Sequence, residues 1–571
     1  MGAVLLAALG VVVGCAQPMP VVSQDNAAAV SGELKTLAVV AVNSYDKLMG
    51  DANFLGSLAG LAQVDQIVKA TILQEIGDKG LAAIDKTKPF GLLVQTDGNQ
   101  FPPIAFLPVA KADDLIQVLQ AKGVQVDEER DGIRQMTLPN AIPVFVKFQA
   151  GWALVAQSPD SLAHAPADFQ AELNRLVSEY DLAFTVSLQQ LPESTRQMAM
   201  MWLRIGMEGG LQQSPGESDE LFELRRKSVE AQIAELEQFL SDTDKITIGL
   251  SVDGQKQRVF FDMAVEAVPN SKLGKQIAAM ADPRTNFAGF YQPDAALTMT
   301  FVNQLDPASV EQNVANMRAS MDSMRQQLEI LLAQEEGVPA PLREAARSAL
   351  DDFIEALLAT TETGKLDGGG TIRIRPEALT LVAGTKVKEP ERMVNALRKL
   401  EAAAKETAPG LPGVEWNASQ HGDVKFHTLS IPLADSADES LRRMVGDQIS
   451  LAIGVGSEAV YLSLGRDHMD AVKQAIDDSK KDANKAVPPF EFAMAMGPIM
   501  ELAASQVEDE NMRGSLQAVS AMLQNDAQGR DHIRMVGQMV PNGIRYRFEA
   551  EEGALRAIGQ LAIISRMMMN Q

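Results

Sequence analysis

A strand pattern closing on Val-Asn occurs twice in this chain, at residues 37–43 and at 297–303, and each opens a long series of elements in one order. That recurrence constrains the fold most, because a plan written twice predicts two similar cores rather than one large one. In the first series, apolar runs at 90–96 and 104–109 flank Asp97-Gly98, a pair suited to the positive φ of a hairpin turn. The second series has runs at 371–375 and 379–387. A helix follows each pair, at 111–122 and 390–403, with apolar residues three to four apart. Further strand pairs bracket Ala150-Gly151, at 144–148 and 152–157, and Gly456-Ser457, at 449–455 and 459–464. Single strands at 182–188 and 490–496 precede terminal hairpins. These join 245–252 to 258–267 through Asp253-Gly254, and 532–540 to 544–550 through Asn542-Gly543. Closing helices fall near 271–280 and 553–569.

Alternating strands joined by tight hairpins predict antiparallel sheets with helices packed on one face, so the fold class is α+β. The expected organisation is two diverged copies of an antiparallel-sheet-plus-helices unit, at 36–285 and 286–571. Pro283, Gly289 and Pro293 interrupt periodicity at the boundary between them. The copies are expected to differ most in long amphipathic helical inserts. One copy carries 217–241, with an apolar stripe of Leu221, Leu224, Val229, Ile233, Leu236 and Leu240; the other carries 310–334 and 341–361. Gly368-Gly369-Gly370 reads as a tight approach to a strand.

Residues 3–13 are almost wholly apolar yet too short to span roughly 30 Å of hydrocarbon, which fits the apolar region of a signal peptide. Residues 1–16 therefore read as a signal peptide or lipoprotein leader. Either Cys15 is lipidated after cleavage at Gly14, or cleavage before Gln17 removes it. Residues 17–35 have the composition of a flexible tether. Cys15 is the sole cysteine, so the remainder of the chain holds no internal disulfide and no thiolate metal site. The net charge of −24 argues against nucleic acid and anionic surfaces, which select clusters of Lys and Arg. Membrane attachment is expected only through a lipid at Cys15.

No motif carries chemistry. The five histidines, His164, His421, His427, His468 and His532, lack metal-ligand spacing and read as solvated strand or loop residues. His421 and His427 flank Gly422-Asp423 and could approach each other across a turn. Nucleophile-elbow, phosphate-loop and dinucleotide fingerprints are missing from the sequence. Acidic runs at Asp127-Glu128-Glu129 and Asp351-Asp352 lack the alternate-position spacing of a calcium loop and read as solvated faces. Met317, Met321 and Met324, and the group Met198, Met200, Met201 and Met207, read first as core and second as an adaptable apolar groove. No catalytic, cofactor-binding or metal-binding residue is assigned.

The opening Val39-Val40-Ala41-Val42-Asn43-Ser44-Tyr45-Asp46-Lys47-Leu48-Met49, with Phe54-Leu55-Gly56 and Phe90-Gly91-Leu92-Leu93-Val94-Gln95-Thr96-Asp97-Gly98, resembles large exported proteins of planctomycete-type bacteria. The resemblance implies export and α+β architecture and supplies no site residues. The expected function is that of a non-catalytic extracytoplasmic binding or scaffolding protein of the bacterial cell envelope, in the periplasm or lipid-anchored. Its partner would be another protein or an apolar ligand. The alternatives are a periplasmic carrier of an apolar ligand, or an enzyme whose site is assembled from distant residues.

Overall fold

The computed structural model describes residues 34–569 except 59, 62, 140, 210, 214–218, 335–338, 376, 408–409, 411, 435–438, 508 and 525–528. The leader, Cys15 and almost all of the tether lie outside the described residues. Two units form, each from two stretches of chain. The first takes residues up to Gly206 with Thr243–Glu266, and the second Met207–Asp242 with the chain from Ala267.

The first unit is built on ten strands: β1 (Lys35–Val42), β2 (Phe90–Thr96), β3 (Pro103–Pro108), β4 (Gln125–Val126), β5 (Ile133–Thr137), β6 (Pro143–Gln149), β7 (Trp152–Ala156), β8 (Leu182–Ser187), β9 (Thr243–Asp253) and β10 (Arg258–Ala267). They pair in the order β10-β9-β8-β1-β2-β3-β7-β6-β5-β4, antiparallel in every registered pair. Period-two alternation sends Phe106, Leu154 and Ala183 to one face, where the helices Pro159–Ala163 and Phe169–Val177 bring Leu162, Phe169, Leu173 and Leu176. The ring of Phe169 stacks on Phe106 at 4.3 Å between centroids. The neighbouring residues Leu107, Val144, Val146 and Ala153 point the other way. There they meet Ala83, at the end of the helix Val64–Ala83, with Leu115 and Ile116 of the helix Ala112–Ala121. Helices thus pack on both faces of this sheet, not on one as its alternation suggested, because β3, β6 and β7 are apolar on both sides.

Asp181, just before β8, ties the end of this sheet together. Its carboxylate accepts from Val252 N–H at 2.7 Å, Ser251 Oγ at 3.2 Å and Asn43 Nδ2 at 3.2 Å, and pairs with Lys47 at 3.0 Å. Lys47 also pairs with Asp51, whose carboxyl burial pushes up, and donates to Val252 O at 2.9 Å. The Val-Asn ending of β1 thereby has a physical role, since Asn43 closes the strand onto this carboxylate.

The second unit contains β12 (Leu297–Gln304), β13 (Lys365–Arg375), β14 (Ala378–Lys386), β15 (Glu415–His421), β16 (Val424–Pro432), β17 (Gln448–Val455), β18 (Ala459–Gly465), β20 (Phe490–Ala495), β21 (His532–Val540) and β22 (Gly543–Glu551). Their order is β22-β21-β20-β12-β13-β14-β18-β17-β16-β15, and the two-residue strands β11 (Arg284–Thr285) and β19 (Lys485–Ala486) pair separately. The helix His468–Lys481 lays Ala471, Val472, Ala475 and Ile476 on Val382, Phe426 and Ala452, together with Phe287 and Phe290. Within each order, the strand that opens the unit lies between its second and its eighth strand.

The helical insertions correct the sequence reading. The β1–β2 connection carries the helices Tyr45–Leu58 and Val64–Ala83, and the β12–β13 connection carries Val310–Gln334 and Ala340–Glu362. The β8–β9 connection carries Glu193–Gly209 and Asp219–Asp242, and the β20–β21 connection carries Met496–Gln506 and Glu510–Gln524. Paired helices therefore stand in two connections of each unit's strand series, where long inserts were expected at 217–241 in one half and at 310–334 and 341–361 in the other. Gly368-Gly369-Gly370 also proves to lie in mid-strand. A Cβ at Gly368 would stand 2.8 Å from the Phe301 ring, and one at Gly384 on the next strand 2.9 Å from the rings of Phe287 and Phe290. These glycines make room for aromatic rings, and lacking side chains they add no apolar period to the first half of β13.

Candidate functional site

The face of the first sheet that carries Leu107 and Ala153 continues along β2, β1, β8, β9 and β10. There, registered neighbours form apolar rows: Leu92, Val40, Phe184 and Ile248 in one, Val42, Leu182 and Leu250 in the next. Phe260 belongs to the core on the opposite side, so alternation puts Phe261 and Met263 on this face. Leu182 is 45% exposed, Phe184 38%, Leu250 37%, Phe261 40% and Met263 39%. An antiparallel sheet facing water ordinarily presents polar residues there, and contiguous exposed apolar surface marks an interaction site.

The second sheet carries a longer version. From Phe548 on β22 the ladder leads to Met535, Phe492 and Met299, and onward through Gly370, Ala383 and Leu462 to Ile453 and His427. The adjacent row passes through Ile533, Met494, Leu297 and Ile372, then Leu381, Leu464, Leu451 and Leu429. Helices Met496–Gln506 and Glu510–Gln524 pack against Met494 and Ile533. Phe548, Leu462 and Ile431 stand exposed. No charged side chain enters either row between β22 and β16. His427, at the far end, accepts from the Asn417 N–H through Nδ1 at 3.0 Å, and burial lowers its pKa, which keeps it neutral.

A third apolar surface lies on the helix Glu193–Gly209. Met198, Met201, Trp202 and Ile205 recur at helical spacing and are all exposed, Trp202 by 63%. Met198 and Met201 are thus not core residues, whereas Met200, Met207 and Met317 are half-buried.

Polar chemistry gathers elsewhere in the second unit. An open cleft of about 540 Å³ is lined by Tyr291, Gln292, Pro293, Arg373, Asp478 and Lys485, among others. Tyr291 donates to Glu491 at 2.8 Å, and Arg373 donates to Gln292 at 2.7 Å. Asp478 pairs with Lys481 and Lys485 with Asp482, so these charges are engaged. Beside the cleft, His532 places Nε2 at 3.1 Å from the Pro293 carbonyl, with Nδ1 at 3.0 Å from Asp531 and 3.5 Å from Glu551. The two carboxylates, Asp531 first, raise its pKa to about 10. Burial opposes ionisation of Asp531, but His532 and the Gly497 N–H outweigh it and hold the carboxyl below its ordinary range.

His532 is therefore a paired imidazolium and not a solvated strand residue. His427 is buried, and His468 accepts or donates at Ser463 Oγ, 2.9 Å away, with its pKa lowered by burial. His421 sits 2.8 Å from Asp477, and nothing brings it to His427. His164 is exposed and contacts the Asp160 carbonyl at 2.8 Å. Asp351 pairs with Arg325 and Asp352 with Lys399, while Glu129 pairs with Arg134. Among the described residues no three His, Cys, Asp or Glu gather around a metal-sized point, and no helix is long and apolar enough to cross a membrane. No known family, characterised protein or solved structure matches this chain.

Proposed function

We propose that this chain is a non-catalytic binding protein of the bacterial envelope, made of two diverged copies of one α+β unit, each offering an uncharged sheet face to a partner. The observation that carries the reading is the unbroken apolar ladder from Phe548 to Ile453, in a chain with 75 acidic and 51 basic residues. Duplication is supported by the shared strand order and by helix pairs in corresponding connections. A non-catalytic role is supported by the pairing of the perturbed groups, since His532 is engaged by Asp531 and Glu551, and Glu551 by Arg534 as well. Export, with either lipidation of Cys15 or its removal, rests on the apolar leader and on the resemblance to exported planctomycete-type proteins.

Two measurements test this. Mass spectrometry of protein taken from its native envelope is expected to find a mature N-terminus at Gln17 or an acylated Cys15. Retention of Met1 on cytoplasmic protein would overturn the location. An apolar fluorescent dye is expected to bind the native chain saturably, and Leu462→Lys to weaken that binding. A dye signal that appears only on unfolding would overturn the binding role.

A further inference from the structure

We infer that the ligand of the second unit's sheet face is the hydrocarbon chain of a lipid, held singly. This rests on the binding role proposed above and names the class of ligand. The ladder spans nine strands, and at about 4.8 Å per strand that is about 38 Å, ample for one extended acyl chain, which fills about half of the roughly 30 Å of hydrocarbon in a bilayer. Over that length the two rows offer only Leu, Ile, Ala, Met, Phe and bare glycine, with a neutral His427 at one end. Its backbone groups are spent in the ladder, so an added strand finds no donor or acceptor there. A protein partner would add about one hydrogen bond per 100–200 Å²; between Phe548 and Ile453 the two rows supply no side-chain donor or acceptor for one.

Charge decides between a single lipid and a membrane surface. Attachment to an anionic bilayer needs clustered Lys and Arg, whereas this chain carries a net −24. The two rows themselves are free of either sign and are complementary to the one part of a lipid that has none. Met299 and Met535 suit such a ligand, because unbranched thioether side chains adapt to an irregular or mobile chain.

The test is titration of the full chain with a homologous series of lysophosphatidylcholines below their micellar concentrations. Affinity is expected to rise about fourfold per added methylene. Phe548→Lys and Leu462→Lys are expected to weaken the longest member at least tenfold while the circular dichroism spectrum stays unchanged. If Phe548→Lys fails to fold, Ile431→Gln at a 43% exposed position carries the same test. Affinity that ignores chain length would overturn the inference, and so would a dimer that Phe548→Lys dissociates, or adsorption to vesicles without uptake of single lipids. Saturable dye binding without chain-length dependence would remove the hydrocarbon assignment and leave the binding role; absence of both would remove both.

Discussion

His532 lends itself to a measurement with a definite sign. Its pKa lies near 10 in the folded chain against the ordinary 6.5, so its pairing stabilises the fold fully below about pH 6.5 and is lost as pH rises through about 10. His532→Asn is therefore expected to lower Tm most at pH 6 and progressively less toward pH 10.5, in thermal melts run in parallel with the parent. A constant difference would show that the imidazolium is not the stabilising species. Asp181 gives a second test. Replacing it with Ala leaves the Val252 N–H without its acceptor and takes from Lys47 one of its two carboxylates, and a loss of about 2–3 kcal/mol is expected in urea unfolding. Sequence alone could not have found either cluster, because Asp531 and Glu551, or Asn43 and Asp181, meet only through strand pairing. The histidine spacing rules that set His532 aside are rules for local motifs, and its partners include a residue nineteen positions away.

Elements were more legible than contacts. Hairpin dipeptides such as Asp97-Gly98 and Asn542-Gly543 marked their turns, and the helix at 310–334 matched its apolar period to the residue. Legibility failed where side chains were missing or short. β13 begins at Lys365, six residues before the pattern announced it, because three glycines contribute no periodicity. The helices Glu193–Gly209 and Glu510–Gln524 have no expectation in the sequence reading, although Met198, Met201, Trp202 and Ile205 recur at helical spacing in the first. The glycine reading has a direct test. Gly384→Val is expected to cost about 1–3 kcal/mol, since its side chain must displace Phe287 or Phe290 in a filled core. An unchanged urea midpoint would mean that those rings have room to move. The apolar sheet faces were legible only as strands, because period two states that one side is apolar without stating which side the helices cover.

For the molecule as a whole, composition excluded more than it assigned. The acidic excess predicts no retention on DNA-cellulose even at low ionic strength, where counterion release is most favourable; retention would reveal a basic surface that the charge count conceals. The division of the chain into two units bears on stability too. If each unit has its own core, calorimetry is expected to resolve Gly384→Val as a shift of one transition and Asp181→Ala as a shift of the other. Coincident shifts would mean that the units unfold together.

The chain has three tryptophans, and their settings differ. Trp152 is enclosed, donating to the Pro89 carbonyl, and Trp416 donates to Glu401 beneath the Arg398 guanidinium. Trp202 alone of the three stands largely in water. Its long-wavelength emission should be the component quenched by iodide, so the protein carries an optical reporter on the helix Glu193–Gly209. Whatever comes to rest there will announce itself as a blue shift without any added label.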